Sequence, residues 1–300
     1  MSVDLAAAQL WIRRYVDVAG PIEPWHERPW STVLRIPLAD GAAWFKACAP
    51  VQAFEPRLTR DLFSRWPDRV PEVLACDQGR GWLILRDAGT PIRALGNPPD
   101  IWLTALPLYA ELQRSEVAHA NDHLAHGVPD LRIQTLPGLF DDLLRHNLPL
   151  ERLELLRLRE FGRRLADLCQ ELAAANVPET LQHDDLHAAN VYTRDHRLRF
   201  LDWGDTSISH PFMSLVVTFR FLEETNHLSP VDPWFARLRD AYLEPWGGDL
   251  AAAFDLAIGI GAFAHAIAWA RQRDYLPANA RPSFDKGFAI VLQRALARIF

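Results

Sequence analysis

The sequence predicts a two-lobed α+β protein: a small antiparallel β-sheet with one helix, followed by a larger, mainly helical region. Three observations carry that expectation. Two hairpin signals fall within the first 86 residues, apolar residues recur at helical spacing over most of the remaining chain, and one strand-and-loop interruption lies between residues 180 and 204.

The opening residues to Tyr15 read as a short amphipathic helix, and they show no basic segment leading into an apolar one, so no export signal is expected. Residues 32–38 and 42–48 read as strands around Ala39-Asp40-Gly41, because Asp-Gly between apolar runs favours a hairpin. After Pro50, the residues Phe54, Leu58, Leu62 and Trp66 recur at helical spacing and place Glu55 on a helix. Residues 72–76 and 82–85 flank a Gly-containing turn and form a second hairpin. The pattern breaks at 86–89, which sets the expected division into a lobe of residues 1–86 and a lobe of residues 87–300. Helices are expected over 101–112 and 151–174, and again from Pro211 to the end. The most apolar stretch, 251–270, contains Asp255, Gly259, Gly261 and His265 and lacks basic flanks, so it reads as a buried core helix and not a membrane span.

Composition narrows the function. A formal net charge of −6 argues against nucleic acid or an anionic membrane as the partner and favours a small-molecule substrate. Cys48, Cys76 and Cys169 are odd in number and widely spaced, which indicates neither a disulfide framework nor a thiolate metal site, and points to a reducing, cytoplasmic compartment. The chain takes nearly all its basic charge from arginine; its two lysines are Lys46 and Lys286. Lys46 sits inside the apolar run Ala42-Ala43-Trp44-Phe45-Lys46-Ala47, where a solvated charge is out of place, so it is a candidate functional residue.

A polar loop, His183-Asp184-Asp185-Leu186-His187-Ala188-Ala189-Asn190, is followed by strand-like residues and then by Leu201-Asp202-Trp203-Gly204-Asp205. Phosphoryl transfer needs a carboxylate to orient and deprotonate the attacking hydroxyl, and oxygen ligands to hold Mg²⁺ on the phosphates. Asp185, Asn190 and Asp202 supply such oxygens and include no soft ligand.

His-x-Asp-x-x-x-x-Asn followed by a strand and Asp-x-Gly resembles the catalytic and metal loops of the protein-kinase-like fold. In the form seen here, with Leu186-His187 and Asp202-Trp203-Gly204, it resembles the aminoglycoside phosphotransferase family of small-molecule kinases. The order strand lysine, helix glutamate, linker and two loops agrees across nearly the whole chain. The resemblance implies a bilobal protein-kinase-like fold and ATP as co-substrate. It makes Asp185 the base, Asn190 and Asp202 the Mg²⁺ ligands, Lys46 the anchor of the α- and β-phosphates and Glu55 the residue that orients Lys46. The backbone of Arg86 and Ala88 would meet the adenine edge.

Three departures accompany it. No Gly-rich loop precedes the lysine strand; the corresponding turn, Arg28-Pro29-Trp30-Ser31-Thr32, offers Ser31 or Thr32 to the phosphates. Asp184 stands where the family usually has glycine, and is expected to face away and accept backbone hydrogen bonds. Glu55 follows Lys46 so closely that its pairing requires the Pro50 segment to turn back sharply. His183 is read as structural, and His187 as either packing or lining the site. Asp205 is a candidate to reach a second metal through water, against the more ordinary use of capping a turn.

Two other readings stand beside the kinase. His183, Asp185 and His187 resemble the ligands of a metal-dependent hydrolase, a reading that leaves Lys46 and Asp202 without a role. A kinase-like scaffold that binds nucleotide without turnover is the other. The acceptor, a small molecule with a hydroxyl group such as an aminoglycoside, sugar or amino alcohol, is expected in the helical region after Asp205, where Glu223, Glu224 and Asp232 mix with Arg220, Arg237 and Arg239.

Overall fold

A computed structural model describes residues 3–298; Met1 and Ser2, which open the expected first helix, lie outside the described residues. The chain begins with α1 (Leu5–Ile12), capped by Asp4, whose carboxylate accepts the N–H groups of Ala6 and Ala7. Then come β1 (Glu23–Arg28), β2 (Ser31–Leu38), β3 (Gly41–Cys48), α2 (Glu55–Arg65), β4 (Val73–Asp77), β5 (Trp82–Arg86) and the two-residue β6 (Thr90–Pro91). Helices α3 (Pro99–Glu116), α4 (Ala120–Ala125), α5 (Leu136–Arg145) and α6 (Arg152–Ala173) follow. Short strands β7 (Thr180–Gln182), β8 (Val191–Arg194), β9 (Arg197–Phe200) and β10 (Ser207–Ser209) make the expected interruption, and α7 (Leu215–Asn226), α8 (Pro233–Leu243), α9 (Ala251–Tyr275) and α10 (Arg281–Ala297) complete the chain.

These elements divide into two compact units. The first holds, of the described residues, 3–95, 126–128 and 188–204. Its main sheet is antiparallel, in the order β1-β2-β3-β5-β4. Alternation on β3 sends Ala43, Phe45 and Ala47 into a core shared with Leu34, Ile36, Ile84, Trp82 and the Trp11 ring of α1. Lys46 therefore points to the opposite face. The strand β1 has no alternating apolar pattern, since five of its six residues are exposed at the sheet edge, and nothing in its composition signals it. This unit extends past Arg86 because β6 pairs with β8, joining residues near 90 to the β8–β9 hairpin. Asp195 and His196, both at positive φ (52° and 61°), make the tight turn of that hairpin.

The second unit holds, of the described residues, 96–125, 129–187 and 205–298. Its core includes α9, thirteen of whose residues are buried. The helix is long and apolar enough to cross a membrane by length and composition, yet 67% of its most apolar window is buried in the protein. Phe263 of α9 stacks on Phe161 of α6, with ring centroids 3.9 Å apart, and meets Phe140 of α5 edge-on.

Candidate active site

Within the first unit, Lys46 is held by two carboxylates. Its Nζ lies 2.7 Å from Glu55 Oε2 and 2.5 Å from Asp202 Oδ1. The short reach from Lys46 to Glu55 is made by a 3-10 turn, Pro50–Gln52, that follows β3 and reverses the chain before α2 begins. Glu55 stands in the first turn of α2, where a carboxylate also complements the helix dipole. Burial opposes the charge on Lys46, but Asp202 and then Glu55 outweigh it and hold its pKa well above the ordinary lysine value. Glu55 is itself raised, first by its burial and then by the neighbouring Asp202, while Lys46 pulls it back. Cys48 donates its thiol to Glu55 Oε2 at 3.2 Å, a partner that sequence reasoning missed.

Gly204 explains why Asp202-Trp203-Gly204 ends in glycine. A Cβ placed there would come within 2.7 Å of Glu55 Oε2 and 2.9 Å of the Gln52 amide. Close approach, not an unusual backbone angle, is what a side chain would disturb, since the Glu55 and Gln52 side chains would have to shift.

Asn190 and Asp202 stand at the two ends of the β8–β9 hairpin, tied by the Leu201 N–H to the Asn190 carbonyl at 2.9 Å. Their donor set is one amide and one carboxylate, the latter 47% exposed. Magnesium takes one or two protein oxygens and completes its shell with phosphate and water, so this pair fits that ion. Among the described residues, no three His, Cys, Asp or Glu side chains converge as a metal site. The hydrolase reading fails on the same observation, and His183, one of its three ligands, is fully buried with its backbone N–H donated to the Tyr109 hydroxyl at 3.0 Å.

The backbone around two of the expected nucleotide contacts is arranged as follows. Ser31 and Thr32 belong to β2 and not to the turn before it, since their backbones are in register with Arg28 and Glu27, and the turn is reduced to Pro29-Trp30. In the linker, the Arg86 N–H is donated to the Glu72 carbonyl at 2.9 Å and the Asp87 N–H to Ala42 at 3.0 Å. Arg86 also turns its side chain to Glu72 and Asp40. The buried Ala88 follows, and Asp87 is fixed by Trp44 Nε1 (2.8 Å) and by Arg194, which donates to its carbonyl (2.9 Å).

The second unit carries Asp184, Asp185, His187 and Asp205. Polar side chains on α3 hold the strand that leads into the loop: Gln113 Nε2 donates to the Leu181 carbonyl (2.6 Å) and Thr180 Oγ1 to the Gln113 carbonyl (2.8 Å). On the far side of the loop, Thr218 of α7 donates to the Leu186 carbonyl at 2.7 Å. Such bonds satisfy backbone groups that a loop would otherwise bury unpaired. Asp185 is thus presented from a fixed backbone, its side chain 31% exposed and its Oδ2 3.3 Å from His187 Nε2. The His187 ring stacks on Phe221 with centroids 4.3 Å apart, so this histidine both packs and meets the carboxylate.

Asp184 corrects the expectation made for it. Its φ of +58° lies in the left-handed region, which accounts for a preference for glycine there and which aspartate tolerates better than most residues. Its carboxylate faces side chains and not backbone: Gln182 Nε2 donates to it at 2.9 Å, and His265 Nδ1 lies 3.2 Å away. His265 Nε2 accepts from the Trp269 indole at 3.1 Å, while its buried Nδ1, though near Asp184, makes no hydrogen bond. Asp205 accepts a hydrogen bond from Gln272 of α9, and Ser207 donates to Gln182 (3.3 Å).

The chain matches the phosphotransferase enzyme family over residues 24–256. Among curated proteins no match is found. Among solved structures the chain is similar to the GDP complex of aminoglycoside 2'-phosphotransferase-IIIa, at 17% identity and a TM-score of 0.65 over 100% of both chains. It is also similar to a choline/ethanolamine kinase family protein from Mesorhizobium loti, at 17% identity and 0.64 over 98% of each chain. Amicoumacin kinase hAmiN in complex with AMP-PNP, Ca²⁺ and Ami gives 10% identity and 0.64 over 99% of this chain and 94% of that one. At these identities the likeness is one of fold.

Proposed function

We propose, from the premise that this chain belongs to the phosphotransferase enzyme family, that it moves the γ-phosphoryl group of ATP onto a hydroxyl of a small molecule, with Asp185 as the base. The observation that carries this reading is the cluster of Lys46, Glu55 and Asp202, in which a chain with two lysines keeps one charged under burial between two carboxylates. A cation so held suits the α- and β-phosphates. Asn190 and Asp202 would hold Mg²⁺, which when bound screens the phosphate charge. The Ala88 backbone is the linker group assigned to the adenine edge, since the N–H groups of Arg86 and Asp87 are committed within the chain. The GDP and AMP-PNP–Ca²⁺ complexes of proteins sharing the fold support a nucleotide and a divalent ion here.

In the reaction, the acceptor oxygen bonds to the γ-phosphorus as the bond from that phosphorus to the β–γ bridging oxygen breaks. The electron pair leaves on ADP, and the hydroxyl proton passes to Asp185. His187, 3.3 Å from that carboxylate, limits its rotation.

Transfer of labelled γ-phosphate from Mg-ATP or Mg-GTP to a panel of alcohols, by the full chain and by Asp185→Asn, tests the assignment. The variant is expected to keep nucleotide binding and to lose roughly 10²- to 10⁴-fold in transfer; transfer near the wild-type rate would place the base elsewhere. Nucleotide binding with no transfer to any alcohol would favour the scaffold.

A further inference from the structure

Resting on the phosphotransferase reading, we propose that the acceptor is a small alcohol bearing a carboxylate, and that Arg220 is the residue that selects it. In the second unit, α7, α9 and α10 enclose a cavity of about 440 Å³, a volume suited to a metabolite. Its charged walls are Arg220, Glu223, Glu224, His265, Arg294 and Arg298. Two of the arginines are already matched: Arg294 lies 2.5 Å from Glu224 Oε1, and Arg298 lies 3.5 Å from Glu223 Oε1.

Arg220 is the remaining cation. Among the described residues it makes no hydrogen bond or ion pair, its Nε is shielded from solvent without a partner, and its close neighbour is the Phe221 ring at 4.8 Å. Burial lowers its pKa; Glu224 opposes that shift, Arg294 adds to it, and Asp185 and Asp184 oppose it more weakly. Arg220 is partly buried, a guanidinium whose shielded Nε lacks an acceptor bears a desolvation cost, and a planar carboxylate accepting two parallel N–H bonds removes it.

The same walls disfavour cationic acceptors. A polycation calls for carboxylates to spare, and both of those lining the cavity are already paired with arginine. A quaternary ammonium calls for an aromatic cage, and among the described residues no Trp, Tyr or Phe lines the cavity. The base is reached through packed side chains. Phe221, next to Arg220 on α7, stacks on His187, and His187 touches Asp185. On the α9 wall, His265 faces Asp184, the residue before the base. A hydroxy acid would lay its carboxylate on Arg220 and its hydroxyl at Asp185; the hydroxyl is phosphorylated by the transfer step already given and the carboxylate is unchanged.

The test measures transfer from Mg-ATP by the full chain to gluconate and glycerate, their uncharged counterparts glucose and glycerol, and the cationic alcohols ethanolamine and kanamycin. The expected result is preference for a hydroxy acid. Arg220→Ala should raise KM for that acid about 10- to 100-fold with KM for ATP held, and Arg220→Lys, which keeps the charge but loses the fork, should raise it less. The lysine variant carries the test if the alanine variant does not fold. Preference for a neutral or cationic alcohol overturns the proposal, as does an unchanged KM in a folded variant. Phosphorylation of neither acid, by a protein that Mg-ATP stabilises against heat, also overturns it and leaves the phosphotransferase reading standing. Absence of that stabilisation removes both.

Discussion

His210 is fully buried at the start of the turn before α7, where its Nδ1 accepts the Phe212 N–H at 3.4 Å and its ring meets that of Phe212 edge-on. Burial pulls its pKa from 6.5 to about 3. By linkage, the unfolded chain takes up a proton below about pH 6.5 that the folded chain refuses until about pH 3, so stability present above pH 6.5 is lost as the pH falls. The expected slope from this group is on the order of 1 kcal/mol per pH unit within that window. Urea unfolding at several pH values, for the wild type and His210→Asn, checks it: the difference in stability between them should shrink by that slope on acidification, and parallel curves would disprove the assignment. Residues of this kind were partly legible. The isolated Lys46 and the spacing of Asp185, Asn190 and Asp202 announced themselves, because charged and amide groups between apolar runs need a reason to be there. The left-handed backbone of Asp184 and the unmatched charge of Arg220 did not, since each depends on residues far away in the chain.

At the scale of elements, the 3-10 turn Trp203–Asp205 packs against the start of α2 through Gly204. Gly204→Ala would drive a methyl group into Glu55 Oε2 and the Gln52 amide, two groups held by the α2 end and the turn before it. Overpacking of this kind costs about 1–3 kcal/mol. Because Glu55 is a partner of Lys46, the expected outcome is both a lower melting temperature and weaker Mg-ATP binding; calorimetry of the folded variant would show whether affinity falls along with stability. Loss of stability alone would mean that the turn serves packing and not the Lys46 cluster. The hairpins β2–β3 and β4–β5 and helix α2 were legible from turn residues and period. The strand β1 was not: it is an exposed edge whose pairing with β2, and not its own composition, makes it a strand.

For the molecule as a whole, the division of labour between units is informative. Lys46, Glu55, Asn190 and Asp202 belong to the first unit, and Asp185, His187 and Arg220 to the second. No local pattern could announce that residues 188–204 join the first unit, because β6 and β8 pair across about a hundred residues of intervening chain. Saturating Mg-ATP should raise the melting temperature by roughly 5 °C. Hydrogen exchange should slow in β3, the linker and residues 190–204 well before any change in α8. Slowing spread evenly through both units would contradict the assignment of the nucleotide to the first. The scarcity of lysine has a further, practical consequence. Apart from the backbone amine, an amine-directed acylating reagent meets two targets, the exposed Lys286 and Lys46, whose side chain is 13% exposed. Peptide mapping of the labelled protein then separates the two side chains, and the ion-paired, protonated Lys46 should stay unlabelled while Lys286 reacts.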